Sequence, residues 1–221
     1  GRLLAREQQL AEVVRCLTRQ EVLMTGSFDL NADLSTHGTR GELVRNLSGM
    51  FDAQARDGST YKFKLLGNIL AFKPVTDLVE RGNTQLGSDG LPYRRLKVGG
   101  RFASGKFHVD EGIFDSDAIG LAATGPIDLV TRDAALTVLV APFNRVNRIV
   151  RHVPIAGYIL GGELVSIPVG VHGDIRDPTV TPLGAKAVTK QLTGILERTL
   201  ESPVKLLAPG SSSREKQPAS P

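Results

Sequence analysis

The sequence predicts a mainly β domain, α+β in class, built on antiparallel strands and carrying several short helices. Three observations point there. Long stretches alternate apolar and polar residues with a period of two; the gaps between the central stretches leave room only for short turns; and the longer runs of helical spacing fall in the first residues, between Leu65 and Val79, and after Thr181. The 221 residues, 41% hydrophobic and 23% charged, suffice for a substantial core without disulfide or metal staples. Cys16 is the single cysteine, which excludes an intrachain disulfide, a zinc ribbon and a Cys-x-x-Cys redox site, and leaves the redox compartment open. The elements read as one domain over residues 1–207, divided into an N-terminal helix (1–20), a β-rich body (21–180) and an amphipathic helix (181–202), with a disordered tail over 208–221.

In the opening segment Leu10, Val13, Val14 and Leu17 recur at helical spacing. From Val22 to Leu34 the even positions are apolar or Gly and the odd ones mostly polar, which predicts a strand of thirteen residues, about 43 Å long. A helical turn over Thr39–Asn46 then leads to a second alternating run, Leu47 to Arg56, and Asp57-Gly58 signals a hairpin. Leu65, Leu66, Ile69 and Leu70, followed by Val75, Leu78 and Val79, predict one or two helices crossing the sheet, with Pro74 breaking or kinking the run. After a glycine-rich loop, Gly82 to Gly90, strands near Tyr93–Ala103, Lys106–Phe114, Ala118–Thr131 and Ala134–Pro142 have turns short enough for an antiparallel meander, and Glu163–Ile175 alternates again. Thr25-Gly26-Ser27-Phe28-Asp29-Leu30 is echoed by Thr124-Gly125-Pro126-Ile127-Asp128-Leu129, which suggests a duplication. Thr181-Pro182 reads as a helix start, and Leu183, Val188, Leu192, Ile195, Leu196 and Leu200 form a stripe that ends before Pro203. Ala208 to Pro221, rich in Ser, Pro, Lys and Gln, supplies the tail.

Motifs for chemistry are mostly missing. Gly100 to Lys106 fits the Gly-x-x-x-x-Gly-Lys phosphate loop, but Phe107 stands where Ser or Thr would hold magnesium, and the residues that follow alternate as a strand; a hairpin turn is the expectation. His37, His108, His152 and His172 lack metal-ligand spacing, and Asp110, Glu111, Asp115 and Asp117 lack the order of a calcium loop. No nucleophile elbow is present, so no enzyme, cofactor or metal is expected. The net charge of +4 is modest, three of the four charges fall after residue 175, and only 11 Phe and Tyr are available, which argues against nucleic acid. Arg145, Arg148 and Arg151 fall at intervals of three and would form the basic edge of a short helix. No apolar run is long enough to span a bilayer, and a start at Gly-Arg-Leu-Leu without Met reads as a fragment. Periodicity alone leaves the apolar strand faces open to two uses, a sandwich core or a lipid groove, and favours the sandwich.

Several segments, taken in order, carry a resemblance. They are the run Leu47-x-Gly49-x-Phe51-x-Ala53 ending at Asp57-Gly58, the helical Leu65 to Leu70, Gly90-Leu-Pro-Tyr93 before a glycine-rich strand pair, and Gly125-Pro-Ile-Asp-Leu129. Ala141-Pro142, Val153 to Gly161, and Val171 to Pro178 continue the series. Over roughly residues 20 to 185 the chain resembles the C-terminal region of AsmA-like proteins, the YhdP and TamB relatives. The resemblance implies long antiparallel strands curved into a groove or half-closed β-taco with a hydrophobic lining. It also implies a periplasmic location as part of an inner-membrane-anchored protein, and a role in phospholipid transport between inner and outer membranes and in outer-membrane integrity. The expected partner is phospholipid, with a membrane surface or an outer-membrane protein as further contacts. Alternating residues expected to bind lipid are Met24, Phe28, Leu30 and Leu34; Ile119, Leu121, Ile127 and Leu129; and Val165, Ile167, Val169 and Val171. The alternative is a structural or assembly module that docks a protein through its sheet edge and fills its apolar face as an ordinary core.

Overall fold

Nine strands form one antiparallel sheet whose spatial order follows the chain. The structure, a computed structural model, describes residues 1–13, 24–61, 64–81, 90–142, 159–160, 163–164 and 166–205. The sheet runs through β1 (Arg2–Gln9), β2 (Ser27–Ser35), β3 (Ser48–Thr60), β4 (Leu91–Ala103), β5 (Lys106–Asp115), β6 (Ile119–Asp128) and β7 (Asp133–Pro142). A two-residue pair, β8 (Ile159–Leu160) with β9 (Glu163–Leu164), stands apart, and β10 (Ile167–Asp174) and β11 (Thr179–Pro182) complete the sheet beside β7. Helices α1 (Lys64–Ala71) and α2 (Lys73–Arg81) join β3 to β4, and α3 (Lys190–Lys205) follows β11. The result is an open meander rather than a sandwich, because among the described residues β1 to β7, β10 and β11 all pair within this one sheet and only the two-residue pair of β8 and β9 lies outside it.

Cross-strand register gives each face its composition. Phe28, Ala55, Leu96, Phe114, Leu121, Val140 and Ile167 stand opposite one another in a single row from β2 to β10. Directly paired residues project to the same side, so this row defines one apolar face. Strand β5 carries an extra residue, since Val109 to Gly112 spans three steps against the two from Gly125 to Ala123 on β6. That bulge restores the alternation: Phe107 and Val109 before it and Phe114 after it all join the same core. Helix α1 contacts β11, and Asn68 Nδ2 donates to the carbonyl of Pro178, just before that strand, at 2.8 Å; α2 contacts β7. On the opposite face Leu192, Ile195 and Leu196 of α3 are at most 1% exposed, against Ile113, Ala122, Leu139 and Ala141. Each such side chain contributes about 1.5–3 kcal/mol.

Several elements differ from the sequence expectation. Residues 2–9 form a strand rather than the start of a helix, because the alternating β2 offers an edge to pair with; only residues 10–13 are helical, and the rest of that expected helix lies outside the described residues. Of the strand expected over 22–34, residues 22–23 lie outside the described residues, and the rest is continuous only over β2, since Gly26 takes a φ of 117° and Met24 keeps an isolated bridge to Thr60. Asp57-Gly58 makes no hairpin. Asp57 takes a φ of 50° inside β3, and neighbours on both sides carry the strand on to Thr60. Glu163–Ile175 divides into β9 and β10. Thr181-Pro182 ends an edge strand, where a proline without an N–H is tolerated, and the helix begins at Lys190 with Thr189 Oγ1 accepting from Leu192 N–H at 3.2 Å. This helix continues to Lys205, so Pro203 falls in its last turns rather than beyond its end. Arg145, Arg148 and Arg151, Cys16 and the tail lie outside the described residues.

Gly125 has a φ of 134°, and a Cβ there would meet the Ala135 carbonyl oxygen at 2.3 Å, whereas Gly173, with a φ of 90°, has nothing within 4 Å of that position. Gly125→Ala should therefore lower the unfolding free energy by about 1–3 kcal/mol, and Gly173→Ala by less, both read from urea midpoints at constant slope. Ile195→Ala should cost about 2–5 kcal/mol in the same assay, because it empties the contact between α3 and the sheet.

Candidate functional site

Small residues in mid-sheet leave a space on the apolar face. The second cross-strand row reads Leu30, Ala53, Val98, Gly112, Ala123, Val138 and Val169, so glycine and alanine occupy places that would otherwise hold large side chains. Above them Leu65, Leu66 and Ile69 of α1 close over the sheet. Between helix and sheet lies a half-open cavity of about 360 Å³, walled by Leu96 and Val98 of β4, Phe107, Val109 and Phe114 of β5, Leu121, Ala123 and Ile127 of β6, Leu136 and Val138 of β7, and Ile175. Its lining is almost entirely apolar. Lys97 borders it, but the ammonium lies among the ions of the other face, 2.6 Å from Glu111 and 3.4 Å from Asp52.

Of the residues expected to bind lipid, Met24, Leu121 and Ile127 line this cavity. Phe28, Leu30, Leu34, Ile119, Ile167, Val169 and Val171 fall on the same sheet face by register but outside the lining. Leu129 packs against the same core from the turn after β6. Ile119, Val169 and Val171 are fully buried, so at these positions the face is a filled core. Val165 lies outside the described residues. Sequence reading missed the α1 residues, whose helical stripe gave no sign of which strands it would cover, and it missed Phe107, Val109 and Phe114, whose common face the bulge hides.

Charged groups on the outer face pair with one another. On the outer face Glu111 Oε2 accepts from Lys97 and its Oε1 accepts from Arg198 of α3 at 3.2 Å. Burial pushes the Glu111 carboxyl upward, but hydrogen bonds and charge from Lys97 and Arg198 outweigh it and hold the pKa below its ordinary value. Arg94 joins Asp115 and Asp117, each at 2.7 Å, and Arg101 reaches Asp110 at 3.1 Å, so the acidic cluster is a set of ion pairs. Among the described residues no group of three His, Cys, Asp or Glu side chains could hold a metal ion. The Gly100–Lys106 motif is the β4–β5 hairpin, with Ser104 and Gly105 at φ of 51° and 72° in its two-residue turn. Tyr93, whose OH donates to the Thr25 carbonyl, has its pKa pushed up to about 12 by burial and by the charge of Asp57. Among the described residues no helix is long and apolar enough to cross a membrane.

No protein-family model, curated protein or solved structure matches the chain. The resemblance to AsmA-like proteins therefore rests on the residues quoted above.

The Glu111 pairs predict a pH dependence. A lowered folded pKa means that their contribution is present above the unfolded carboxyl value and is lost as pH falls through the folded one. Between about pH 5 and pH 3 the wild type should lose more stability than Glu111→Gln, measured by urea unfolding across that range.

Proposed function

We propose that this chain is a non-catalytic lipid-binding module of the AsmA-like kind, taking phospholipid acyl chains on the apolar face of its sheet. The observation that carries the reading is the half-open apolar cavity between α1 and the sheet, continuous with half-buried Leu30, Phe51, Val98 and Phe102 on the same face. An exposed methylene costs about 0.8 kcal/mol in water, so an apolar trough lets an acyl chain be carried shielded while its head group stays solvated. In this reading the sheet curves into a groove, the module works in the periplasm as part of an inner-membrane-anchored protein, and it supports lipid transport and outer-membrane integrity. It needs no cofactor and no energy-coupling site of its own.

A second reading, docking of a protein partner through a sheet edge, is favoured by one observation: β1 borders the sheet with Leu3 and Leu4 more than half exposed.

Mass spectrometry of lipid extracted from the purified chain separates the two. The lipid reading expects co-purified phospholipid in the wild type and its loss in Ala123→Leu, which fills the cavity without adding a charge. Filling a void leaves the melting temperature unchanged or raised when the longer side chain fits. Equal lipid recovery from wild type and a folded Ala123→Leu protein would remove the cavity from the reading, and an empty wild type would favour docking.

A further inference from the structure

The cavity between α1 and the sheet offers a ligand no polar handle. Thr60 and Lys97 are the polar residues of its described lining. Thr60 Oγ1 is fully buried in the wall, and the Lys97 ammonium is held on the other face by Glu111 and Asp52. Neither group reaches a molecule in the space. A head group drawn inside would lose its hydration and gain no partner, so it stays at the opening.

Shape limits what does enter. On β6 the lining runs from Leu121 to Ile127, about 20 Å along the strand at about 3.3 Å per residue. Spread over that length, about 360 Å³ leaves a section of roughly 18 Å², the width of one extended alkyl chain. Volume agrees with length. A cavity of about 150 Å³ holds the six carbons of benzene, so about 360 Å³ has room for on the order of fourteen carbons.

Resting on the lipid reading above, we propose that this cavity is a tail site, which takes one alkyl chain of up to about fourteen carbons along the strands and selects for chain length but not for head group. Carbons beyond that number stay outside, as does the second chain of a diacyl lipid.

The test titrates the delipidated chain with single-chain phosphocholines from octyl to octadecyl, below their micelle concentrations, read by displacement of an apolar fluorescent dye. Affinity should rise about fourfold per added methylene up to about fourteen carbons, and less than about twofold per methylene beyond. Val98→Phe, which adds a ring to the cavity wall, should bring that break down by about four carbons. A second series on the wild type keeps a dodecyl chain and compares phosphocholine, maltoside, sulfate and trimethylammonium heads. At about 150 mM salt their affinities should agree within about threefold. A steady rise through octadecyl, or a wider spread among the dodecyl heads, would overturn this assignment and leave the lipid reading standing. A wild type that binds no member of either series would overturn both.

Discussion

Everything in this molecule depends on the register of one long antiparallel ladder. The side-chain period of a strand is two, so a slip of one residue between any two neighbours would move the apolar set of a strand to the charged face. Phe28, Ala55, Leu96, Phe114, Leu121, Val140 and Ile167 form a continuous row because six successive pairings are in phase. The bulge in β5 is part of that phase. Without the extra residue between Val109 and Gly112, Phe107 and Phe114 would point to opposite sides, and the row would break in the middle of the sheet.

Given that register, side-chain size decides where the face is solid and where it is hollow. Ile119, Val140, Val169 and Val171 are fully buried, in a part of the core that includes Val75 of α2. Val98, Gly112 and Ala123 lie under α1, where their small volume leaves a gap that Leu65, Leu66 and Ile69 do not fill. A filled core of the same chemistry would be more stable, since unfilled volume forfeits dispersion contacts and costs roughly 24 cal/mol per Å³ in measured cases. On the lipid reading proposed above, the retained space is what sets a binding face apart from a purely structural one.

The opposite face solves a different problem. Asp29, Asp52, Arg56, Lys97, Arg101, Asp110 and Glu111 pair across strands there, which keeps the uncovered part of the sheet soluble. Exposed pairs of this kind contribute little stability individually, about 0–1 kcal/mol. Helix α3 finds its place where the ion pairs stop and Ile113, Ala122, Leu139 and Ala141 leave an apolar strip, and Arg198 reaches from the helix to Glu111 at the border between the two surfaces.

The meander was legible in the sequence because alternation is local: β4 to β7 follow the runs of Tyr93–Ala103, Lys106–Phe114, Ala118–Thr131 and Ala134–Pro142 closely, and the helical stripe from Leu65 to Val79 gave α1 and α2. The dismissal of Gly100–Lys106 as a phosphate loop likewise needed only the strand that follows it. What the sequence could not state depends on partners distant along the chain. Arg2–Gln9 is a strand because β2 offers an edge; Asp57-Gly58 stays inside β3 because β4 on one side and Thr25, bonded to Ser59, on the other carry the strand past it; Thr181-Pro182 joins β10 instead of opening a helix. Alternation alone also could not separate core from cavity among Met24, Leu121, Ile127, Ile119 and Val169, which obey the same period. Only the tertiary structure decided that, because the space above an apolar residue is set by the size of its cross-strand neighbours and by where a helix remote in sequence comes to rest.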